Sequence, residues 1–385
     1  MKQLLFFALG VCSLTLAFAP ARAADAFTLR DGDRVVLVGS TLIEREQRYG
    51  YWETALTRRY PDKSITFRNL GWSGDTVFGD ARAGFGTQAD GFRQLKDHVL
   101  ALKPTVIFIG YGTNESFEGP KGLPRFVKGL ETLLDAFAPT KARIILLSPL
   151  KQENLGRPLP DPKEQNKNLR LYADAIRDTA KKRGHRFVDL YDRLDKEKEP
   201  LTDNGIHLTA WGYWHSAAVF ERGLGWPDAS WSIEIDKERT TVVQSMLPLA
   251  PQPREDAPRD PFFSKTCRVH AKGLAHGSYT LTIDGKKIVS ATAEAWASGV
   301  QLQRGPEFEQ AERLRQTIIA KNRLYFYRWR PENETYLFGF RKQEQGQNAR
   351  EIPQFDPLIA EKEKEIAKLR VPVAHTYELK AEKKL

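Results

Sequence analysis

Five short apolar runs, rich in β-branched residues, alternate along the first half of the chain with longer amphipathic stretches. The runs are Arg34–Val38, Ile65–Leu70, Thr105–Tyr111, Arg143–Ser148 and Arg186–Leu190. The stretches with helical spacing lie near Gly50–Tyr60, Gly91–Leu102, Leu123–Phe137 and Glu164–Lys182, and after Leu208. Nearly continuous apolar strands separated by helices indicate a parallel sheet that is buried on both faces. With right-handed crossovers, this pattern predicts a three-layer α/β/α sandwich.

The first 23 residues have the features of an export signal. Lys2 precedes the apolar run Leu4–Phe18, and Ala21-Arg22-Ala23 fits a small-x-small cleavage site. The run is short for a bilayer span, and no later stretch is apolar enough to cross a membrane. We therefore predict a signal peptide over residues 1–23, cleaved near Ala23, and a secreted or periplasmic protein.

The remaining chain divides into two predicted folded parts. Residues 24–230 contain the strand-helix alternation, and residues 231–263, which are rich in proline, are predicted to be a linker. Residues 264–385 are predicted to form an α+β accessory region. Its predicted elements are a β-hairpin around Asp284-Gly285 and a helix over Phe308–Asn322.

Charge and cysteine content argue against a nucleic-acid-binding protein and against a disulfide-stabilised fold. The formal net charge is +10, and removal of residues 1–23 takes away Lys2 and Arg22 and no acidic residue, which leaves +8. The excess is spread through mixed-charge helical stretches, as on a solvated surface, and no nucleic-acid-binding motif is present. Cys267 is the single cysteine after the predicted cleavage, so no internal disulfide is predicted. The sequence predicts no cofactor and no metal.

The residues that follow the predicted strands carry the chemistry. Ligands bind at the carboxyl ends of the strands in an open parallel sheet. The loops there contain a hydroxyl, a glycine amide, an asparagine amide and a histidine, which are the groups that ester hydrolysis requires. In chain order the loop sequences are Gly39-Ser40-Thr41-Leu42, Asn69-Leu70-Gly71-Trp72-Ser73-Gly74-Asp75, Gly112-Thr113-Asn114-Glu115 and Asp203-Asn204-Gly205-Ile206-His207.

These four blocks resemble those of the SGNH/GDSL hydrolase family, over roughly residues 30–225. The family's Gly-Asp-Ser-Leu block falls on Gly39–Leu42, and its Asp-x-x-His block falls on Asn204–His207. The resemblance implies a flavodoxin-like sheet with strand order 2-1-3-4-5, an ester or thioester substrate, and no metal. It also implies that Gly74 and Asn114 bind the oxyanion and that His207 is the general base.

The chain departs from the family at the nucleophile. Thr41 stands at the serine position, and Ser40 stands where aspartate is usual. Thr41 could attack, although its β-methyl group crowds the intermediate and stiffens the side chain. Ser40 could attack through a shifted turn. Alternatively, neither hydroxyl attacks and the cleft only binds a ligand.

The chain also departs from the family at the acid that orients the histidine. The aspartate position is Asn204, and Asp203 comes one residue earlier. Asp203 could still reach His207 and fix its tautomer. Asn204 could orient the ring without stabilising the imidazolium, which is a much poorer arrangement.

Three functions follow from this pattern. The leading hypothesis is a secreted ester hydrolase that acts on small-molecule or polysaccharide esters, in particular carbohydrate O-acyl esters. The alternatives are a catalytically degenerate protein that binds a glycan or an acylated ligand, and a scaffold protein. The sequence leaves the oligomeric state open. Three aromatic residues near the predicted edge could stack on a sugar: Trp72, Tyr111 and Trp211. A later polar stretch could form a wall over the cleft or pack the accessory region against the main sheet; it contains Arg328, Trp329, Arg330, Asn333 and Glu334.

Overall fold

The structure is a computed structural model that describes residues 26–194, 199–228, 230–236, 239–253, 267–344, 346 and 348–382. The predicted signal peptide and its cleavage site lie outside these ranges, so both stay predictions. Within the described ranges, no helix has the length and apolar character needed to cross a membrane.

Five parallel strands form the central sheet. They are β1 Arg34–Gly39, β2 Thr66–Gly71, β3 Val106–Gly110, β4 Arg143–Leu147 and β5 Arg186–Val188. Their order across the sheet is β2-β1-β3-β4-β5. Nearly every side chain of β1 and β3 is buried, because helices cover both faces of the sheet. The three-layer sandwich predicted from the sequence pattern and the strand order implied by the family resemblance are confirmed.

Seven helices flank this sheet: α1 Thr41–Tyr49, α2 Tyr51–Arg58, α3 Gln88–Ala101, α4 Gly119–Phe137, α5 Lys163–Arg183, α6 Leu190–Arg193 and α7 Ala210–Gly223. On one face, Trp52 of α2 and Phe220 of α7 pack against the sheet. On the other face, Val99, Leu133 and Ile176 of α3, α4 and α5 do so. Each large apolar side chain buried in this way stabilises the fold by about 1.5–3 kcal/mol.

Among its described residues, the accessory region contains one antiparallel sheet, one mixed sheet and four α-helices. Its strands are β6 Trp231–Ile235, β7 Arg239–Val242, β8 Cys267–Ala271, β9 Ser278–Ile283, β10 Lys286–Thr292, β11 Val300–Gln301 and β12 His375–Ala381. They form sheets with the orders β10-β9-β12-β7 and β11-β8-β6. The helices are α8 Ala293–Ser298, α9 Pro306–Trp329, α10 Glu334–Leu337 and α11 Phe355–Leu369.

Two sequence predictions for this region have different outcomes. The predicted hairpin is present as β9 and β10, and both Asp284 and Gly285 have the positive φ angles of a tight hairpin turn. The predicted linker, however, contains β6 and β7, so the accessory sheets begin at Trp231. The reason is long-range pairing: Trp231 is in register with Cys267, and Val242 with His375.

Helix α9 joins the accessory region to the edge of the central sheet. The Lys321 Nζ donates to the Glu53 carboxylate of α2 and to the Phe67 carbonyl of β2, and Asn322 Nδ2 donates to the other Glu53 oxygen. Lys321 is only 1% exposed, and its burial lowers the pKa of its ammonium group. Lys321 thus gives one carbonyl of the strand at the sheet edge a hydrogen-bond donor from the accessory region.

Candidate active site

The carboxyl ends of β1, β2 and β3 lie side by side, with glycines at the ends. Gly39 is paired with both Gly71 and Gly110. A Cβ on Gly71 would lie 2.2 Å from the backbone nitrogen of Glu44, and a Cβ on Gly39 would lie 2.4 Å from the Gly110 oxygen. Glycine at these positions therefore allows α1 to begin directly beside the strand ends.

Helix α1 presents the two candidate nucleophiles differently. Ser40 is the N-cap residue of α1; it is 3% exposed, and its amide donates to the Gly110 carbonyl at 3.1 Å. Thr41 is the first helical residue and is half-buried. Its Oγ1 accepts a hydrogen bond from the Gly74 N–H, with an N···O distance of 3.4 Å. The Thr41 hydroxyl therefore lies against the predicted oxyanion glycine.

The two predicted oxyanion residues come from neighbouring loops that contact each other. Gly74 has a φ of +80°, a conformation that favours glycine, and it is exposed. The Asn114 Nδ2 donates to the carbonyl of Asp75, the next residue, at 2.8 Å. The amide of Gly74 and the side-chain amide of Asn114 are thus held close to each other at this edge of the sheet.

Glu115 ties the same two loops together from beneath. Its Oε1 accepts from the Val77 N–H at 2.8 Å, and its Oε2 accepts from the Gly112 N–H at 2.9 Å. Burial raises the pKa of the Glu115 carboxyl to about 7, in spite of these two donors, and the nearby Asp75 adds to the increase.

The loop that carries His207 is fixed against α1 at two points. The Arg45 guanidinium, one turn after Thr41, donates to Asp203 Oδ2 at 2.6 Å and to the Leu208 carbonyl at 3.4 Å. The hydroxyl of Tyr213, on the helix that follows the loop, donates to the Leu42 carbonyl at 2.6 Å. These contacts bring the histidine loop to the same sheet edge as the threonine, the glycine and the asparagine.

Asn204, and not Asp203, contacts the imidazole. The Asn204 Nδ2 lies 3.1 Å from His207 Nδ1. The Asn204 Oδ1 accepts from the backbone N–H groups of Ile206, at 3.1 Å, and His207, at 2.9 Å. Asp203 forms its ion pair with Arg45 instead. Of the two predicted orienting residues, Asn204, the poorer candidate, is therefore the one that contacts the ring.

This network determines the tautomer of His207. Rotating the Asn204 amide by half a turn would set its NH₂ group against two backbone N–H donors, so its Oδ1 must face the backbone and its Nδ2 must face the ring. A donor facing Nδ1 requires Nδ1 to be the acceptor. Burial lowers the pKa of the imidazole, the nearby Arg45 lowers it further, and Asp203 partly opposes them. The neutral ring therefore carries its proton on Nε2.

Sequence reasoning missed two buried carboxylates that support the site. Asp75 accepts from Arg82 Nε at 2.7 Å and from the Tyr111 hydroxyl at 2.8 Å. Glu44 accepts from both the N–H and the hydroxyl of Ser73. The Thr41-x-x-Glu44 spacing resembles a helix capping box, but the partner of Glu44 comes from another loop, which no local pattern could indicate.

The aromatic residues proposed as sugar platforms have other partners. Tyr111 and Trp211 are buried, and Trp211 stacks on Trp214 with ring centroids 5.2 Å apart. Trp72 is half-buried, and the Arg330 guanidinium lies 3.7 Å from its ring centroid. The carbohydrate hypothesis therefore gains no support from Tyr111 or Trp211.

Two further observations bear on ligands. Within the part of the chain that the structure describes, no group of three or more His, Cys, Asp or Glu side chains is placed to hold a metal ion. A shallow depression of about 340 Å³ lies along α3, lined by residues that include Asp90, Arg93 and Gln94. It contains none of the candidate catalytic residues, so volume alone does not locate the chemistry here.

Two solved structures resemble this protein to different degrees. The structure of BT4096, described as a gut microbial diltiazem-metabolizing enzyme, superposes with a TM-score of 0.70 at 16% identity and covers 92% of this chain and 99% of its own. A catalytic mutant of Axe2, an acetylxylan esterase from Geobacillus stearothermophilus, has a TM-score of 0.41 at 20% identity, over 52% of this chain and 97% of its own. No curated protein matches the chain.

The BT4096 likeness extends over the accessory region as well as the sandwich, and at its low identity it shows the fold. The fold is a flavodoxin-like three-layer sandwich, and its strand-end loops bring a hydroxyl, two amide donors and a histidine to one edge of the sheet. Residues 32–215 match the GDSL-like Lipase/Acylhydrolase family. This match over the sandwich domain supports an ester hydrolase.

Proposed function

We propose that this hydrolase attacks its ester substrate with the Thr41 hydroxyl, with His207 as the base. The single observation that supports this assignment most directly is the contact between Thr41 Oγ1 and the Gly74 N–H. It places a half-buried hydroxyl beside an amide that can hold the oxyanion. Apo sites often have long catalytic hydrogen bonds, and the 3.4 Å distance is consistent with that behaviour.

In the proposed reaction, Thr41 Oγ1 attacks the carbonyl carbon while His207 accepts the hydroxyl proton. The oxyanion is held by the Gly74 N–H, by Asn114 Nδ2 and by the N–H of Thr41, which belongs to the first helical turn, where amides have no partner within the helix. The imidazolium then gives its proton to the leaving alcohol, and water hydrolyses the acyl-threonine in a second round. Each oxyanion donor is worth about 3–4 kcal/mol.

Turnover by this site is proposed to be slow. His207 rests with its proton on Nε2, so it must change tautomer before it can accept a proton there. Losing the carboxylate partner of a catalytic histidine costs about 10⁴-fold in kcat in the serine protease template. The β-methyl group of Thr41 adds crowding at the attacking oxygen.

For the substrate class we propose carbohydrate O-acyl esters with small acyl groups. An exposed phenyl ring supports this choice: Phe117, three residues after Asn114, is 61% exposed. An exposed aromatic ring offers an apolar surface to the face of a sugar. We further propose that the protein acts outside the cytoplasm, after cleavage near Ala23. Amino-terminal sequencing of the exported protein, with Ala24 expected first, tests that point.

The direct test is hydrolysis of an aryl acetate, acetylated xylan and diltiazem by the purified protein and its variants. Thr41→Ala and His207→Ala are expected to abolish activity, and Ser40→Ala is expected to retain most of it. Ser40→Ala is the matched control, since it removes the neighbouring hydroxyl. Activity that survives Thr41→Ala and disappears in Ser40→Ala would assign the reaction to the other hydroxyl.

A second candidate function is ligand binding without turnover. The Nε2–H tautomer of His207 favours it, because a ring that donates from Nε2 can bind a carbonyl oxygen without accepting a proton. This function predicts no hydrolysis of any of the three substrates. It also predicts measurable calorimetric binding of acetylated xylan fragments that His207→Ala weakens.

A further inference from the structure

The accessory region contacts the candidate oxyanion loop through two neighbouring residues, Trp329, whose ring centroid lies 5.8 Å from that of Trp72, and Arg330. Arg330 directly follows α9, and its Nη1 donates to Glu44 Oε2 at 2.8 Å. Its guanidinium also lies 3.7 Å from the ring centroid of Trp72. Trp72 lies two residues before Gly74, so this contact is with the candidate oxyanion loop. Arg330 itself belongs to the accessory region and not to the hydrolase domain.

Glu44 passes this contact on to the loop backbone. Its Oε2 accepts from the Ser73 N–H at 2.8 Å, and its Oε1 accepts from the Ser73 hydroxyl at 2.9 Å. Glu44 is itself on α1, three residues after Thr41, and is buried. One carboxylate thus links the nucleophile helix, the residue before Gly74 and the accessory arginine.

Arg330 is the cation that compensates this carboxylate. A buried carboxylate without a cationic partner is costly, and charge-assisted hydrogen bonds are about twice as strong as neutral ones. The planar guanidinium also pairs and stacks at the same time, on Glu44 and on Trp72, which an ammonium group cannot reproduce. Removing Arg330 leaves Glu44 with only the two Ser73 donors.

We propose that Arg330 is a positioning residue for ester hydrolysis: through Glu44 and Trp72 it holds the Ser73-Gly74 backbone where the Gly74 amide can bind the oxyanion. The accessory region then completes the active site instead of forming a separate binding module. This inference rests on the proposed function.

The test compares Arg330→Met with Arg328→Met in the full-length protein. Arg328 lies two residues earlier, in the last turn of α9, and pairs with Asp356 of the accessory region, so it is the matched control. With an aryl acetate, Arg330→Met is expected to lower kcat by about 10- to 100-fold with little change in KM, the cost of displacing a catalytic group by a fraction of an ångström to 1 Å. Arg328→Met is expected to leave kcat unchanged, and Arg330→Lys is expected to recover part of the loss.

An activity-independent measurement separates this inference from the proposed function. Amide hydrogen exchange at Ser73 and Gly74 is expected to accelerate in Arg330→Met and not in Arg328→Met, even in a protein that does not turn over. If Arg330→Met does not fold, Glu44→Gln takes its place, with the same expected changes. Wild-type exchange and wild-type kcat in both the Arg330 and the Arg328 variants would overturn the proposal. The same loss of kcat and the same faster exchange in both variants would also overturn it.

Discussion

Replacing Asn204 with aspartate should reverse the tautomer of His207 and accelerate ester hydrolysis. A carboxylate at this position offers one oxygen to the backbone N–H groups of Ile206 and His207 and the other to Nδ1. Because both carboxylate oxygens accept, Nδ1 would now carry the proton, and Nε2 would be free to accept one from Thr41. The aspartate would also stabilise the imidazolium that forms.

The size of the effect follows from the hydrogen bonds that hold the Asn204 amide. For the wild-type ring to adopt the productive tautomer, the amide must rotate and leave two backbone N–H groups without their acceptor. At about 1–3 kcal/mol for each unsatisfied group, the cost is about 2–6 kcal/mol. This range corresponds to a gain of about 30-fold to 10⁴-fold in kcat. Asn204 is half-buried, so the lower part of the range is expected.

Two assays test this prediction, one of activity and one of the ring itself. The kcat for an aryl acetate should rise in Asn204→Asp, and the gain should vanish when His207→Ala is added. Nitrogen NMR of the imidazole should show Nε2–H in the wild type and Nδ1–H in the variant. The reasoning is refuted by a wild-type ring protonated on Nδ1, or by a correctly folded Asn204→Asp protein that is no faster.

Three further predictions concern stability, pH and substrate. Lys321→Ala leaves Glu53 buried without its cation and should reduce the free energy of unfolding in denaturant by about 3–5 kcal/mol; an unchanged midpoint would contradict this. The pKa of Glu115 is raised from 4.5 to about 7 in the folded state. Its contribution to the free energy of unfolding is therefore fully present below pH 4.5 and is lost as the pH rises through 7. The free energy of unfolding of the wild type should therefore fall by about 3 kcal/mol relative to that of Glu115→Gln over that pH interval. Parallel curves of unfolding free energy against pH for the two proteins would refute this prediction. Phe117→Ala should raise KM for acetylated xylan but not for an aryl acetate; equal changes in both would remove the stacking role.

The sequence predicts the sandwich well because its signals are local. Each strand is a continuous apolar run, and burial on both faces of a parallel sheet produces such runs directly. The turn at Asp284-Gly285 is equally local, since its positive φ angles demand these residue types. Loop positions after the strands then follow from topology alone.

The remaining features depend on contacts between residues far apart in the chain. Arg45 holds Asp203 across 158 positions, and that pairing takes up the carboxylate that the sequence offered to the imidazole. Arg330 reaches Glu44 across 286 positions. The strands in the predicted linker likewise exist because distant strands pair with them. A sequence pattern can place a carboxylate near a site, but it cannot show which cation neutralises it.

The most direct test of the account is covalent labelling of the nucleophile. A fluorophosphonate, which forms a stable bond with an attacking hydroxyl, would be incubated with the wild type and with Asn204→Asp, and the modified residue would be located by peptide mass spectrometry. The account predicts modification at Thr41, faster in Asn204→Asp and abolished by His207→Ala. Modification at Ser40, or none in either protein, would contradict it.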